Sequence, residues 1–337
     1  MTFPADLTTP LAWVAAVARR EVARLRARHV PSPDELRGLV VGDALIDALL
    51  RPQPPPADGD EADAELAAWL RSSPAWQRLG LAEAEQRVLV LVLAPEAEAR
   101  FTRVYAYLND HAGRGRLTRD LALRLTGGGL TRDMLSAGGP LLRSGLIRIH
   151  DGEPVPWSLQ GLVLAPAAAH VLQGLSPTLA PLPAGCTALD GPPAWPAAEL
   201  ARLPALLEDS GDPPWLVFYG RPGSRRTRAA VALAGRLGVP TVRADLERVL
   251  AAGVLSDLLD LQALTGAVAV LDGGALLDDE GRLAPAMEAV GARLAASGAR
   301  IVWRCRDPQA VERLAAGRHR ALAVDFDRWT ADDRSLA

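Results

Sequence analysis

Along residues 11–29 apolar side chains recur at helical spacing, at Leu11, Val14, Ala18, Val22 and Leu25. Arg19, Arg20, Glu21, Arg24, Arg26 and Arg28 take the other positions, so the pattern predicts an amphipathic helix with a solvated charged face. Pro31-Ser-Pro33 ends it, and a turn leading to a second helix capped by Asp43 is expected up to Leu50. Residues 51–63 are rich in proline and acidic side chains and read as a linker. Two helices follow between Ala64 and Arg100, the second strongly apolar across 88–93 and closed by Pro95.

The rhythm then changes. Phe101, Val104, Tyr105 and Leu108 share one face of a helix over 101–110. Thr118 is placed to cap a helix over 119–125, and Gly127-Gly-Gly129 breaks the chain before a third helix at about 133–144. Two short apolar runs, 146–149 and 158–164, flank the turn Asp151-Gly-Glu-Pro. Helices followed by a hairpin are the layout of a winged helix. A DNA-reading version needs cations on its third helix, which here offers only Arg143 and Arg132 beside Leu135, Leu141 and Leu142. Protein contact is therefore the expected use, and nucleic acid is not the expected partner.

After a helix near 167–174 come many prolines, and 181–212 reads as a linker draped on the surface. Beyond it strands and helices alternate. Strands are expected at 215–219, 241–244, 268–271, 300–304 and 321–325, with helices at 226–237, 245–264, 283–297 and 308–316 between them. Such alternation predicts a parallel α/β sheet. The expected division is a helical segment and linker over 1–63, a helical and winged-helix domain over 64–180, a linker over 181–212 and an α/β domain over 213–337.

Composition narrows the classes. Half of the 337 residues are apolar but only 4% aromatic, so Leu, Val and Ala must fill the cores. A net charge of −3 gives no general pull toward nucleic acid or anionic membrane. Cys186 and Cys305 fit no metal spacing. No apolar run reaches membrane-spanning length and the first ten residues lack the pattern of a secretory leader, so no membrane partner and a cytoplasmic setting are expected.

The chemistry is expected after the first strand of the α/β domain. Gly220-Arg-Pro-Gly-Ser-Arg-Arg-Thr227 follows the outline G-x-x-x-x-G-K-[ST], in which backbone N–H groups at a helix N-terminus cradle phosphates. Gly220 and Thr227 fit, with Gly223 and Ser224 in the loop, but Arg225 stands at the second glycine and Arg226 at the lysine. All 37 basic residues are arginine, so the lysine's loss alone carries little weight; Arg225 carries more, since that position asks for close backbone approach and a φ natural to glycine. Asp272 is placed as the Mg²⁺-associated acid, with Thr227 as the second metal ligand, while Gly273 stands where a water-orienting glutamate is expected. ATP with Mg²⁺ is the cofactor this outline admits, bound weakly or not at all, and no catalytic residue is assigned.

Several stretches together resemble the bacterial AAA+ ATPases encoded with contractile injection systems, the phage-tail-like machines. They are 36–50, 90–96, 101–110 (Phe-Thr-Arg-Val-Tyr-Ala-Tyr-Leu-Asn-Asp), 140–146 and 158–166. The resemblance implies a helical and winged-helix region followed by a degenerate P-loop NTPase-like AAA+ module with a parallel sheet. It also implies protein partners, an AAA+ ring or an injection-system component. The sequence reaches 329–334 about where the helical lid of that module is expected, so lid, arginine finger and second module are expected to be missing. The expected function is protein recognition or ring scaffolding. Residual hydrolysis through Arg226, Thr227 and Asp272, and a winged-helix DNA-binding regulator, are the alternatives.

Overall fold

The helix Thr8–Arg28 begins where the Asp6 carboxylate accepts the Thr8 N–H at 2.9 Å, satisfying a first-turn donor. In the computed structural model the described residues are 3–28, 42–50, 59–77, 79–150, 155–175, 180–189, 203–208, 213–221, 223–272, 285–306, 308–316 and 319–327. They divide into two units, 2–176 and 177–337.

In the first unit the helix Thr8–Arg28 is more enclosed than its period suggests. Trp13, Val14, Ala15, Ala16, Val17 and Ala18 are all buried, and so is Glu21, which accepts from Arg124 at 2.6 Å. Asp43 does not cap the next helix, Asp43–Leu49. Gly42 stands at the cap, and the Asp43 carboxylate instead accepts from the Tyr107 hydroxyl at 2.7 Å. The helix Gly59–Ser72 starts inside the stretch read as linker, whose residues 51–58 lie outside the described ones. It brings Asp63 under Trp13 Nε1 (2.7 Å), Arg87 (3.2 Å) and Arg20 (3.2 Å), tying three helices together.

The central helix Glu83–Ala97 is buried throughout 88–94, as a helix apolar on every side must be. Pro95 lies within its last turn rather than closing it. Proline removes the donor that Leu91 C=O would otherwise meet. The fully buried Tyr105, on the helix Arg100–Leu108, donates its hydroxyl to that carbonyl at 2.7 Å.

Thr118 caps the helix Arg119–Leu125 by accepting the Leu121 N–H at 3.2 Å, and Gly127, Gly128 and Gly129 all take positive φ after it. Only Pro140–Arg143 of the expected third helix is helical. Gly138, Gly139 and Pro140 stop a longer one: a Cβ at Gly139 would lie 2.3 Å from the Met134 carbonyl, and Pro140 has no N–H to give to a preceding turn. Strands β1 (Leu117–Thr118), β2 (Ile147–Ile149) and β3 (Gly161–Leu164) form an antiparallel sheet in the order β1-β3-β2; residues 151–154 lie outside the described ones.

The second unit holds a six-stranded, mostly parallel sheet with helices. Its strands are β4 (Cys186–Ala188), β5 (Trp215–Tyr219), β6 (Thr241–Asp245), β7 (Val268–Asp272), β8 (Ile301–Cys305) and β9 (Ala321–Asp325), in the order β4-β6-β7-β8-β5-β9. Two elements lie in the stretch read as linker. The strand β4 pairs antiparallel with β6, and the helix Leu203–Glu208 puts Leu203 and Leu207 into the core. Apolar pairing there outweighs the turn-forming composition. The expected helix over 245–264 is two, Leu246–Ala251 and Leu255–Thr265, separated by Gly253 at φ 69°. One face of the sheet, through Leu216, Phe218, Val270 and Val302, packs on Ala229, Ala230 and Leu233 of the helix Arg226–Arg236.

Candidate functional site

From β5 the chain runs along the sheet in one direction to β6, and from β8 it returns past β5 to β9. Ligands in open α/β sheets sit where the order reverses in this way, outside the carboxyl ends of the strands. The loop 220–225 leaves β5 at that place and feeds the N-terminus of Arg226–Arg236. Gly220 has φ 137°, and a Cβ there would come 3.0 Å from Asp327 Oδ1, which accepts the Arg221 N–H at 2.8 Å. Only glycine allows that approach.

Gly223 follows at φ 88°, and Arg225 is left-handed, at φ 56° and ψ 11°. The glycine-like conformation expected at this position is therefore present, but an L-residue holds it, at a cost of roughly 1–2 kcal/mol. The side chain of Arg226 folds back onto the protein. Its Nη1 donates to the Cys305 carbonyl at the end of β8, and its Nη2 to the Arg221 carbonyl at 3.3 Å. Desolvation first, and then the nearby charge of Arg304, hold its pKa below the ordinary guanidinium value.

The parallel register aligns Asp272 of β7 with Arg304 of β8, and Val270 two residues earlier with Arg243 of β6. Alternation along strands then puts Arg243, Asp272 and Arg304 on one face at the carboxyl end. Asp272 accepts from Arg304 Nε at 2.5 Å and from Arg243 Nη2 at 2.7 Å and Nε at 2.8 Å. Arg304 Nη1 donates in turn to Thr227 Oγ1 at 3.2 Å. One guanidinium thus bridges the two side chains expected to hold Mg²⁺.

Those residues do not fit the metal as arranged. Mg²⁺ takes oxygen ligands at about 2.0–2.1 Å in near-octahedral geometry, and here a cation already engages both oxygens. What remains open is a cleft of about 440 Å³ lined by Gly223, Ser224, Arg225, Arg226, Thr227, Arg228 and Arg304. Of the residues expected at the site, Gly220 shapes the loop's start and Asp272 lies behind Arg304, while the other five line the cleft.

Arg243, Arg304 and Asp327 were not among the expected residues. A lone arginine within the apolar run Ile301-Val-Trp-Arg-Cys305 is the signal that could have drawn attention to Arg304. The pairing with Asp272, 32 residues away, is invisible before the register is known. Among the described residues no helix is long and apolar enough to cross a membrane.

No curated protein matches the chain. The stretch with the Thr118-capped helix and the β1-β3-β2 sheet is similar to a known family, whose model, described as a winged helix domain, variant, matches residues 74–168.

Proposed function

We propose that this protein acts in protein recognition or ring scaffolding, with an α/β unit that keeps the frame of a P-loop NTPase but not its hydrolytic chemistry. The observation that carries this reading is the Arg304 bridge between Asp272 and Thr227. Phosphoryl transfer in such folds depends on a metal clamped between phosphate and these two positions. A guanidinium there, with Arg226 turned onto carbonyl groups, leaves neither metal nor lysine in its working place. The reading also draws on the resemblance to AAA+ ATPases of contractile injection systems, whose role would assign an AAA+ ring or an injection-system component as partner.

The test is phosphate release from ATP by the purified chain with and without Mg²⁺. Background rates, the same in Asp272→Ala, are expected. A Mg²⁺-dependent rate that disappears in Asp272→Ala would show residual hydrolysis and overturn the proposal.

The winged-helix match favours a second reading, a DNA-binding regulator. Against it stand a third helix of four residues with Leu141 buried, Arg119 buried, and Arg132 stacked 5.3 Å from the Trp157 ring centre. That helix itself offers only Arg143 to neutralise a phosphate. Saturable duplex binding at physiological salt that falls in Arg143→Ala would favour the regulator.

A further inference from the structure

We propose that the cleft at the N-terminus of Arg226–Arg236 binds a phosphate-chain anion without a divalent metal, Arg304 supplying the positive charge that Mg²⁺ would bring. This stands apart from the scaffolding reading, since a scaffold could carry the site or lack it.

Three observations meet here. Among the described residues, four that bear a guanidinium, Arg225, Arg226, Arg228 and Arg304, line the cleft, and none that bears a carboxylate does. Asp272 is engaged by Arg304 and Arg243, and Asp327 accepts the Arg221 N–H outside the lining. The helix that opens on the cleft is 11 residues long and directs its first N–H groups and the positive end of its dipole there. Finally, Ser224, 5% exposed and part of the lining, has a buried hydroxyl with no hydrogen-bond partner. A buried hydroxyl left unpaired is costly, and an acceptor oxygen in the cleft would relieve it after a small rotation.

The geometry also explains why metal should be dispensable. In a metal-dependent site a divalent ion screens the phosphate oxygens from one another and from the carboxylate. Here Arg304 lies between Asp272 and the cleft, so an anion meets a guanidinium before it meets the acid. Arginine is planar, permanently charged and suited to paired contacts with phosphate oxygens. A chain of two or three phosphates is the size and charge class that matches a 440 Å³ cleft lined by four arginine residues. Magnesium added to such a ligand in solution lowers its charge and therefore weakens binding.

The experiment is calorimetry on the purified chain with inorganic triphosphate and, separately, ATP, each in EDTA and in excess Mg²⁺. Binding in EDTA that does not tighten with Mg²⁺ is expected for triphosphate. Equal affinity for ATP assigns the site to the phosphate chain alone, and tighter ATP binding in EDTA assigns it to nucleotides; both uphold the proposal. No binding of either ligand in EDTA, or binding only with Mg²⁺, overturns it. Arg304→Ala should lose roughly tenfold or more in EDTA. Because Arg304 also holds Asp272, the exposed Arg228→Ala provides a variant whose folding is not at stake. It should weaken triphosphate binding severalfold, and unchanged affinity in both variants would overturn the assignment.

Discussion

Arg304 and Asp272 face each other across adjacent parallel strands, Nε to Oδ1 at 2.5 Å, with side chains 28% and 20% exposed. Arg243 approaches the same carboxylate from the other neighbouring strand. Asp272 therefore holds two guanidinium groups together at the end of the sheet. Its neutralisation leaves two cations side by side with nothing between them. Asp272→Asn is expected to destabilise the chain by about 2 kcal/mol, less than breaking a fully buried pair costs because all three groups are partly solvated. Urea unfolding measures it. An acid kept for metal binding would behave in the opposite way, since relieving an unpaired functional charge commonly stabilises.

Arg225 provides a test of loop strain. Glycine adopts φ 56° freely and alanine does not. Arg225→Gly should be more stable than Arg225→Ala by about 1 kcal/mol, read as a difference in denaturation midpoint at constant slope. Equal stabilities would mean that the left-handed conformation is lost when the arginine is removed.

Rebuilding the loop by itself should not restore an enzyme. Arg225→Gly combined with Arg226→Lys returns the residues that the phosphate-loop outline asks for, but Arg304 still spans Asp272 and Thr227. Phosphate release from ATP should stay at background with Mg²⁺ present. Turnover in this double variant would show that Arg304 yields readily to the metal.

Tyr105→Phe isolates one hydrogen bond in the first unit. The Leu91 carbonyl lacks its helical donor because residue 95 is proline, and Tyr105 supplies the replacement at 2.7 Å. Burial pushes the Tyr105 phenol far above its ordinary pKa, so it remains a donor throughout the usable pH range. Loss of the hydroxyl strands a buried carbonyl and should cost about 1–3 kcal/mol. Thermal unfolding that matches the parent would mean that water reaches the carbonyl.

Cys186 should react slowly. Burial, with a smaller contribution from the charge of Asp257, pushes its thiol up to about 11. The thiolate is the nucleophile, so at pH 8 the native thiol should alkylate roughly a hundredfold more slowly than in denaturant. The native rate should climb as pH rises toward 11. Iodoacetamide labelling with peptide mapping follows Cys186 separately from Cys305; a native rate already at its plateau by pH 9 would contradict the shift.

Much of this architecture was legible residue by residue. Short apolar runs alternating with helical segments marked all five parallel strands and most of the helices. Thr118 announced its own cap, and the loop outline announced that position 225 would need a glycine-like φ. These features are set by neighbours within a few residues, where side-chain spacing and backbone sterics act directly. Three others were decided only when the chain came together. The proline-rich stretch before β5 yielded β4 and the helix Leu203–Glu208, because pairing with β6 and burial of Leu203 and Leu207 outweigh local turn preference. The third helix of the winged region shrank to Pro140–Arg143 because Gly139 must pass against the Met134 carbonyl. Most consequential, Asp272 read in isolation is a metal-binding acid, yet parallel register places Arg304 and Arg243 on either side of it. Strand register is governed by which apolar faces bury one another, not by local sequence. The charge surrounding that carboxylate, and with it the character of the site, is therefore a property of the folded sheet.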